Sequence, residues 1–254
     1  MIDIHSHILP GVDDGASTSE EALLIAKAAV DEGITTIIAT PHHQNGKYIN
    51  GKQSILKNVE ALNKLLRNEN IPLTILPGQE TRIHGDLMSE LETDVILPLN
   101  HTNYIFIELP SGHVPRYTEQ MLFDLQLKGL TPIIVHPERN AEFIENPDLL
   151  YKLVSKGALT QITSSSITGH FGKNIKKFTM QLLEAQLTHF LASDVHSLKN
   201  RPFRLSEGYE ILAKVFGQEA LFVFRENAEL LVRNQTVYKT DPSKIKKKKF
   251  LGLF

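Results

Sequence analysis

The sequence predicts an α/β fold, specifically a distorted parallel β/α barrel of about seven strands. Short runs rich in β-branched and aromatic residues alternate with longer segments of helical periodicity, and repeated strand-helix units favour a parallel sheet. Seven or eight such units in a chain of 254 residues favour closure of that sheet into a barrel. A doubly wound open sheet is the alternative, although neither G-x-G-x-x-G nor a G-x-x-x-x-G-K-S/T loop occurs to support it.

The strand candidates are short apolar runs bounded by polar or turn residues. They are residues 2–5, 35–40, 73–76, 104–109, 131–136, 159–163 and 190–192, with residues 95–97 as a weaker candidate. The first helix begins after Ser17 and Thr18, which precede Glu20 and Glu21 by three residues as in a capping box, and it ends at Gly33. Further helices are expected near residues 55–67, 117–128, 147–155, 174–187 and 205–216.

Composition and charge limit the class of protein. We expect one domain over residues 1–243, followed by a basic-apolar tail over residues 244–254. The 27 basic and 29 acidic residues give a net charge of −2, so we expect no nucleic-acid partner. Cysteine is absent, which excludes disulfides, zinc-thiolate sites and every mechanism with a sulfur nucleophile.

The tail carries five lysines followed by apolar residues, a pattern that permits weak contact with an anionic membrane surface. A solvated end, or one docked on a partner subunit, is the alternative. The sequence shows neither a basic leader followed by an apolar segment nor an 18-residue apolar run, so a cytoplasmic location is the default expectation.

Candidate metal ligands follow the strands. His5 and His7 lie two apart on the first strand and therefore point the same way. Their expected partners follow later strands or, for the first of them, lie in the turn after the first strand: Asp14, His42, Glu80, Glu108, His136, Asp194 and His196. The carboxyl ends of parallel strands meet on one face, where active sites are built. Five imidazoles and four carboxylates exceed the needs of one ion, so we expect two or three divalent ions.

The alternatives concern single members of this set. A His or Glu that leaves a strand is more often a hydrogen-bonded polar cap than a ligand, although nine in register are hard to explain in that way. Asp13 competes with Asp14, and its own simpler role is that of a turn residue. Imidazole and carboxylate together accept manganese, iron or zinc.

The motifs as a set resemble the polymerase-and-histidinol-phosphatase (PHP) superfamily. Ile-Asp-Ile-His-Ser-His-Ile-Leu-Pro-Gly-Val-Asp-Asp-Gly at the start and Ser-Asp-Val-His-Ser late in the chain look most like CpsB/CapC-type bacterial protein-tyrosine phosphatases. Those enzymes depend on manganese and are associated with the tyrosine kinases of capsule and exopolysaccharide production. The resemblance spans residues 1 to about 235 and implies a distorted barrel, usually of seven strands.

The resemblance also implies how the ligands are divided. The first ion would take His5, His7, Glu80 and Asp194; the second would take Glu80, Glu108 and His136; the third would take Asp14, His42 and His196. Glu80 would then bridge two ions with its two oxygens. Asp14 is chosen over Asp13 because the superfamily pattern places the ligand directly before Gly.

Phosphate monoesters hydrolyse very slowly, so a catalyst must generate hydroxide near neutral pH and neutralise the phosphoryl oxygens. We expect direct attack by a metal-bridging hydroxide, without a covalent phosphoenzyme. Arg139 and Arg201 are the expected phosphate-binding residues, and Arg116 and Arg204 are weaker candidates. Each can equally form a surface ion pair. His43 can protonate the leaving group or touch phosphate, or it can simply be solvated.

The sequence therefore predicts a metal-dependent phosphatase of phosphotyrosine proteins, acting on a bacterial tyrosine kinase or its substrates. A small-molecule phosphatase with a substrate such as histidinol phosphate is the nearest alternative, and a phosphodiesterase or exonuclease is also conceivable. A non-catalytic metal-binding module belongs to another class. An amidohydrolase-type enzyme fits H-x-H alone, but no Lys ends a middle strand.

Overall fold

A computed structural model describes residues 1–245 of the protein. Within that range, nine short strands pair in parallel. They are β1 (Ile2–Ser6), β2 (Thr36–Ala39), β3 (His42–His43), β4 (Thr74–Pro77), β5 (Glu80–Arg82), β6 (Tyr104–Glu108), β7 (Thr131–Val135), β8 (Leu159–Thr163) and β9 (Phe190–Ala192).

These nine strands form the seven staves of a distorted barrel, where a stave is either a single strand or two consecutive strands separated by a bend. Two-residue interruptions separate β2 from β3 and β4 from β5, so each pair is one bent stave that leaves one sheet and enters the next. One sheet has the order β1-β2-β4 and the other the order β3-β5-β6-β7-β8-β9. The first strand meets the segment that follows the last strand through a parallel bridge between Ser6 and Val195, where the N–H of His7 donates to the carbonyl of Val195 at 3.0 Å. The predicted fold class is confirmed.

Helices connect the staves. They are α1 (Ser19–Asp31), α2 (Lys52–Asn68), α3 (Leu87–Glu92), α4 (Thr118–Leu127), α5 (Ala141–Glu145), α6 (Pro147–Ser155), α7 (Ser164–Thr168), α8 (Lys173–Glu184) and α9 (Leu205–Val232). Thr18 caps α1, accepting from the N–H of Glu21 at 3.2 Å, and Glu21 returns to the N–H of Ser17 at 2.9 Å. The predicted start of the helix is therefore confirmed, although Glu21 bonds the N–H of Ser17 and not that of the cap residue Thr18, as a capping box would.

Two cores hold the barrel together. One fills the barrel interior with side chains from alternate positions, such as Ile4, Ile38 and Phe106, and the other lies between the sheets and the outer helices, with Ile37, Ile105 and Ile162. Alternate strand residues therefore serve different layers. The same alternation decides which polar side chains can reach the end of the barrel.

Three expectations need correction. Residues 95–97 form no strand: the N–H of Leu97 donates to the side chain of Gln79 at 3.1 Å, so this segment is buried without strand pairing. The last helix does not stop at residue 216, because the chain changes direction at Gly217 (φ 90°) and turns helical again up to Val232. The short helices α3, α5 and α7 were not predicted, since six residues or fewer carry too little periodicity.

The predicted tail over residues 244–254 lies almost wholly outside the described residues, so its contact with a membrane stays a prediction. Within residues 1–245, no helix combines the length and the apolar character that crossing a bilayer requires. The single-domain expectation for residues 1–243 likewise stays a prediction.

Candidate metal centre and active site

The nine expected ligands meet at the carboxyl end of the barrel. They lie on or just after the strands, or in the turn after β1; seven of them are buried, His136 is half-buried and Asp14 is exposed. Three overlapping groups bring their ligand atoms within 4.8 Å of one another: His5, His7 and Glu80; His42, Glu80 and Glu108; and His7, Asp14, His42 and His196.

The first group surrounds a small polar space. The Nε2 atoms of His5 and His7 lie 3.3 Å apart. Each also faces Glu80 Oε2, at 3.4 Å and 3.2 Å. Asp194 Oδ1 completes the group, 3.4 Å from His5 Nε2 and 3.3 Å from His7 Nε2. Gln161 Oε1 lies 2.8 Å from His5 Nδ1, and the hydrogen bond leaves Nε2 free to bind a cation.

His42 stands between the other two groups. Its Nδ1 lies 2.8 Å from Glu80 Oε2 and 3.6 Å from Glu108 Oε2. Its Nε2 lies 3.4 Å from Asp14 Oδ1. His136 approaches from the far side, with Nε2 2.8 Å from Glu80 Oε1. The third-ion role that the resemblance implies for His42 therefore depends on Nε2, and its Nδ1 lies beside the proposed ligands of the second ion.

Asp13 and Asp14 divide two tasks. Asp14 Oδ1 lies 3.3 Å from His196 Nε2, in a ligand-like position at the edge of the cluster. Asp13 instead accepts from His7 Nδ1 at 2.7 Å and from the N–H of His42 at 3.1 Å. Its other oxygen accepts from the N–H of Gly15 at 2.9 Å, the turn role expected for it. Asp13 thus orients ligands that Asp14 joins.

The cluster fits divalent metal ions because several of its ligand atoms lie close to one another without forming an aligned hydrogen bond. Within residues 1–245, His42 Nδ1, Glu80 Oε2, Asp194 Oδ1 and His196 Nε2 are buried with no hydrogen bond. Burying polar atoms unpaired is costly, and four such atoms that face one space are satisfied together by cations. Imidazole and carboxylate donors suit divalent transition metals.

The pKa shifts agree with a cation-binding site. Burial raises the pKa of Glu80, but His42 and His5 outweigh it and hold that pKa well below its usual range. Burial likewise lowers the pKa of His42, yet the adjacent Glu80 and Glu108 raise it to about 10. The carboxylates thus favour a positive charge at this place. A metal ion competes with the proton for it, and metal binding should release protons.

Arg139 and Arg201 enter the site together. Both Nη2 atoms lie next to Asp194 Oδ2, at 2.8 Å for Arg139 and 2.5 Å for Arg201. Burial raises the pKa of Asp194, but the two guanidinium groups outweigh that effect and keep the pKa well below its usual range. Asp194 therefore turns one oxygen toward the imidazoles and the other toward the arginines.

A cavity of about 270 Å³ opens beside these arginines. Its polar end is formed by proposed ligands and arginines, and apolar residues line the remainder. The lining residues are His42, Glu108, Leu109, Ser111, Ile134, Val135, His136, Pro137, Arg139, Asn140, Phe143, Asp194 and Arg201. A charged group and an aromatic or aliphatic group can therefore be held side by side.

Neither His43 nor Arg116 supports its expected role. His43 follows His42 on β3 and therefore points to the opposite face. Its Nδ1 accepts from the N–H of Asn50 at 3.1 Å, so Nε2 carries the proton that it shares with Glu90 at 2.8 Å. Arg116 is exposed and borders a separate surface pocket. Arg204, the other weak candidate, pairs with Glu207 at 2.8 Å.

Sequence reasoning missed Arg82 and Gln161. Arg82 binds both oxygens of Glu108, at 2.9 Å and 2.8 Å, and so orients a proposed ligand. Its position two residues after Glu80 on the same strand was a usable signal, because alternate residues share a face. Gln161 lies in the middle of β8, between Thr160 and Ile162, and nothing local connects it with His5.

Comparison with known proteins identifies the family. Residues 1–233 match the family described as capsular polysaccharide synthesis, CpsB/CapC. The chain belongs to the CpsB/CapC family. The resemblance seen in the sequence is confirmed, and the CpsB/CapC assignment covers both ends of the barrel, from β1 through α9.

Named relatives are similar to this chain over all or nearly all of its length. The tyrosine-protein phosphatase YwqE of Bacillus subtilis (strain 168) is 53% identical over 254 residues, which cover all of both chains. The tyrosine-protein phosphatase CpsB of Streptococcus agalactiae serotype III (strain NEM316) is 32% identical over 243 residues, 93% of this chain and 100% of CpsB.

Solved structures agree as well. Crystal structures described as those of YwqE from B. subtilis and CpsB from Streptococcus pneumoniae, unique metal-dependent tyrosine phosphatases, provide a match with a TM-score of 0.95 at 53% identity. That match covers 97% of this chain and all of the other. A mutant organophosphorus hydrolase from Deinococcus radiodurans, 15% identical with a TM-score of 0.53 and covering 91% of this chain and 92% of its own, shares the fold alone.

Proposed function

We propose that this CpsB/CapC family member is a metal-dependent protein-tyrosine phosphatase, a phosphoric monoester hydrolase. The observation that carries the proposal is the convergence of Arg139 and Arg201 on the edge of a cluster of unpartnered metal-ligand atoms. Full-length identity of 53% to a tyrosine-protein phosphatase supports the same reaction. The chain has no cysteine, so the phosphoryl group cannot pass through a thiol.

The ligands would hold two or three divalent ions, and manganese is the proposed metal. His5, His7, Glu80 and Asp194 would hold the first; Glu80, Glu108 and His136 the second; Asp14, His42 and His196 the third. When bound, such ions lower the pKa of water and neutralise phosphoryl oxygens. The protein supplies their orientation: Gln161, Asp13 and Arg82 fix the rings and carboxylates that face the ions.

Arg139 and Arg201 bind the phosphoryl group of the substrate in this proposal. A guanidinium presents its N–H donors in a planar fork that can bind two oxygens at once. Both side chains are about three-quarters buried and border the cavity, so their hydrogen bonds are partly shielded from water. They neutralise charge and fix the direction from which phosphorus is approached.

The leaving group needs no dedicated acid. A phenol has a pKa of about 10, so phenolate departs more readily than the alkoxide of a serine or of histidinol. His43 is directed away from the cavity and is already hydrogen-bonded at both nitrogens. This difference favours phosphotyrosine over alkyl phosphates. A bacterial tyrosine kinase, or its substrates in capsule or exopolysaccharide production, is the proposed partner, and the cytoplasmic location stays a prediction.

Metal reconstitution tests the function. Enzyme stripped with a chelator and reloaded separately with manganese, iron or zinc is assayed on a phosphotyrosine peptide, a phosphoserine peptide and histidinol phosphate. We expect turnover of phosphotyrosine, highest with manganese and absent from the stripped protein. Exclusive turnover of histidinol phosphate would overturn the tyrosine assignment, and activity that survives verified removal of metal would overturn the mechanism.

The Arg139→Ala variant separates phosphate binding from metal binding. Losing one charged donor at the reacting group should lower kcat/KM on phosphotyrosine by roughly 10²- to 10³-fold. Because Arg139 is not a proposed ligand, the bound metal per chain should match that of the wild type. Arg116→Ala, outside the cavity, serves as the control and should retain activity. Loss of metal in Arg139→Ala would show that Arg139 has been misassigned.

A further inference from the structure

A short loop after α7 touches both arginines or the segments that carry them. The 169–172 loop has the sequence Gly-His-Phe-Gly. The ring of Phe171 lies against Arg139, with the guanidinium carbon 5.5 Å from the ring centroid. His170 Nε2 lies 3.0 Å from the carbonyl oxygen of Asn200, the residue directly before Arg201.

The other side of each arginine faces Asp194. Arg201 donates a hydrogen bond to Asp194 Oδ2, and Arg139 forms an ion pair with the same oxygen. The turn that carries Arg201 is closed by two hydrogen bonds between the backbones of Arg201 and Ser197, at 3.4 Å and 3.3 Å. The 169–172 loop therefore contacts Arg139 and the residue before Arg201 on one side, and the Asp194 carboxylate contacts both arginines on the other.

The backbone of the 169–172 loop is held by hydrogen bonds. Its two glycines adopt φ of 92° and 95°, a region open mainly to glycine, and the N–H of Gly172 donates to the carbonyl of Gly169 at 3.0 Å. The N–H of His170 donates to the carbonyl of Ser165 at 2.9 Å, which ties the loop to α7. A rigid segment can position side chains that it touches.

The start of α7 is hydrogen-bonded to Glu138, the residue directly before Arg139. Glu138 is fully buried, and its Oε1 accepts from the N–H of Thr163 at 2.9 Å and from Ser166 Oγ at 2.7 Å. Thr163 and Ser166 form the start of the helix whose end carries the 169–172 loop. Glu138 thus binds the start of α7, the loop after α7 carries Phe171, and Phe171 contacts Arg139, the residue that follows Glu138 in the sequence.

We propose that the 169–172 loop positions the two arginines for the phosphoryl group, with Phe171 acting through Arg139 and His170 acting through Arg201. Both are positioning residues, since neither is placed against the reacting atoms. The inference rests on the proposed function for the identity of the ligand, a phosphate ester. Its tests read phosphate affinity directly, which does not require turnover of phosphotyrosine.

Phosphate affinity of the metal-loaded enzyme, measured by calorimetry with inorganic phosphate, tests the inference. Phe171→Leu keeps apolar bulk but removes the aromatic face, and it should weaken phosphate binding by about three- to tenfold. His170→Ala should weaken it by about threefold. Phe171→Tyr and His170→Gln keep the aromatic face and a donor, and each should restore most of the affinity. Phe222→Leu, a matched change at an exposed residue of α9, should have no effect.

Double-mutant cycles separate positioning from general destabilisation. If Phe171 acts through Arg139, Phe171→Leu should change phosphate affinity less than twofold in an Arg139→Ala background. His170→Ala should likewise have little effect in an Arg201→Ala background. Bound metal and Tm are measured in every variant and should match the wild type.

The outcomes are distinguishable. The inference is overturned if phosphate affinity still falls when Phe171→Leu is added to Arg139→Ala, or His170→Ala to Arg201→Ala. It is also overturned if Phe171→Leu alone binds phosphate as the wild type does. A drop in Tm or in bound metal that accounts for the weaker binding overturns it too. Coupling without any turnover of phosphotyrosine would leave the positioning role standing and overturn the proposed function. Turnover without coupling would do the reverse.

Discussion

At the scale of single residues, the site is made by pairs of neighbours with different tasks. His42 faces the ligand cluster, whereas His43 is hydrogen-bonded on the other face of β3. Asp14 approaches His196 at the cluster edge, whereas Asp13 orients His7. Adjacent side chains point in different directions, so of two neighbouring residues one faces the proposed metal site and the other forms hydrogen bonds elsewhere.

The two aspartates give a prediction at this scale. Asp14→Asn should lose a proposed ligand and lower the number of bound metal ions per chain. Asp13→Asn should keep that number but weaken metal affinity by about 10- to 100-fold, because the hydrogen bond that orients His7 is weakened. Elemental analysis gives the stoichiometry and calorimetry gives the affinity. The reverse pattern would make Asp13 the ligand.

At the scale of elements, the ends of the strands control the site. Gly15 follows the aspartates and lies directly against the end of β1, where an added Cβ would lie 1.9 Å from the carbonyl oxygen of His7. The turn after β1 must therefore lack a side chain at this position if His7 is to stay in place. Close backbone approach, rather than an unusual φ, is the reason for glycine here.

Gly15→Ala should consequently displace His7 or the turn. We expect the free energy of unfolding to fall by about 1–3 kcal/mol, the usual cost of overpacking, together with a loss of bound metal. Gly85→Ala is the matched control, because an added Cβ there meets no atom within 4 Å. Denaturant unfolding and metal analysis measure both effects. A Gly15→Ala protein with wild-type stability and metal content would contradict the close packing.

A buried histidine, His189, lies directly before β9 and affects how stability depends on pH. Burial, and to a lesser degree Lys239, lowers the pKa of His189 from 6.5 to about 4. Its Nδ1 accepts from the N–H of Thr160 at 3.2 Å, so the folded protein requires the neutral ring. The unfolded chain binds this proton more readily, and stability is lost as the pH falls from about 6.5 toward 4.

His189→Asn should flatten this dependence. Asparagine keeps an acceptor for Thr160 but does not titrate, so between pH 7 and pH 5 the variant should lose about 2 kcal/mol less stability than the wild type. Urea unfolding at a series of pH values measures the difference. His101→Asn, at an exposed histidine, should leave the slope unchanged. Equal slopes for His189→Asn and the wild type would refute the buried neutral role.

At the scale of the whole molecule, the proposed metal ligands gather at one end of the barrel. They come from β1, β3, β5 and β6 and from the segments after β1, β7 and β9, so ions bound to them would link most staves at one end. Without cations, buried carboxylates and imidazoles crowd together with unpartnered atoms. Metal binding is therefore expected to contribute to the stability of the entire fold.

Chelation should lower Tm. A ligand present at 100 to 1,000 times its Kd adds roughly 3–4 kcal/mol, which for a chain of this size corresponds to about 5–15 °C. Differential scanning calorimetry before and after chelation, then with manganese restored, measures the shift. Magnesium at the same concentration controls for ionic strength. An unchanged Tm after verified removal of metal would show that the ions do not link the staves.

The sequence by itself determined the strand-helix alternation, most element positions and the nine candidate ligands. Residues 147–155 were predicted as a helix and are helical, because propensity, capping and periodicity are local properties. Strand ends were equally readable, and parallel topology brings such ends to one face. Local pattern and chain order were sufficient for that much.

Only the tertiary structure decided which side chains form hydrogen bonds with which ligands. Gln161 reaches His5 across 156 residues and Arg82 reaches Glu108 across 26, through contacts inside the barrel. Those contacts depend on strand register and barrel closure, which no short stretch of sequence encodes. The same holds for the 169–172 loop, whose contacts with Arg139 and with Asn200, the residue before Arg201, join segments that are distant in sequence. Residue identity supplies the chemistry, and non-local packing gives that chemistry its geometry.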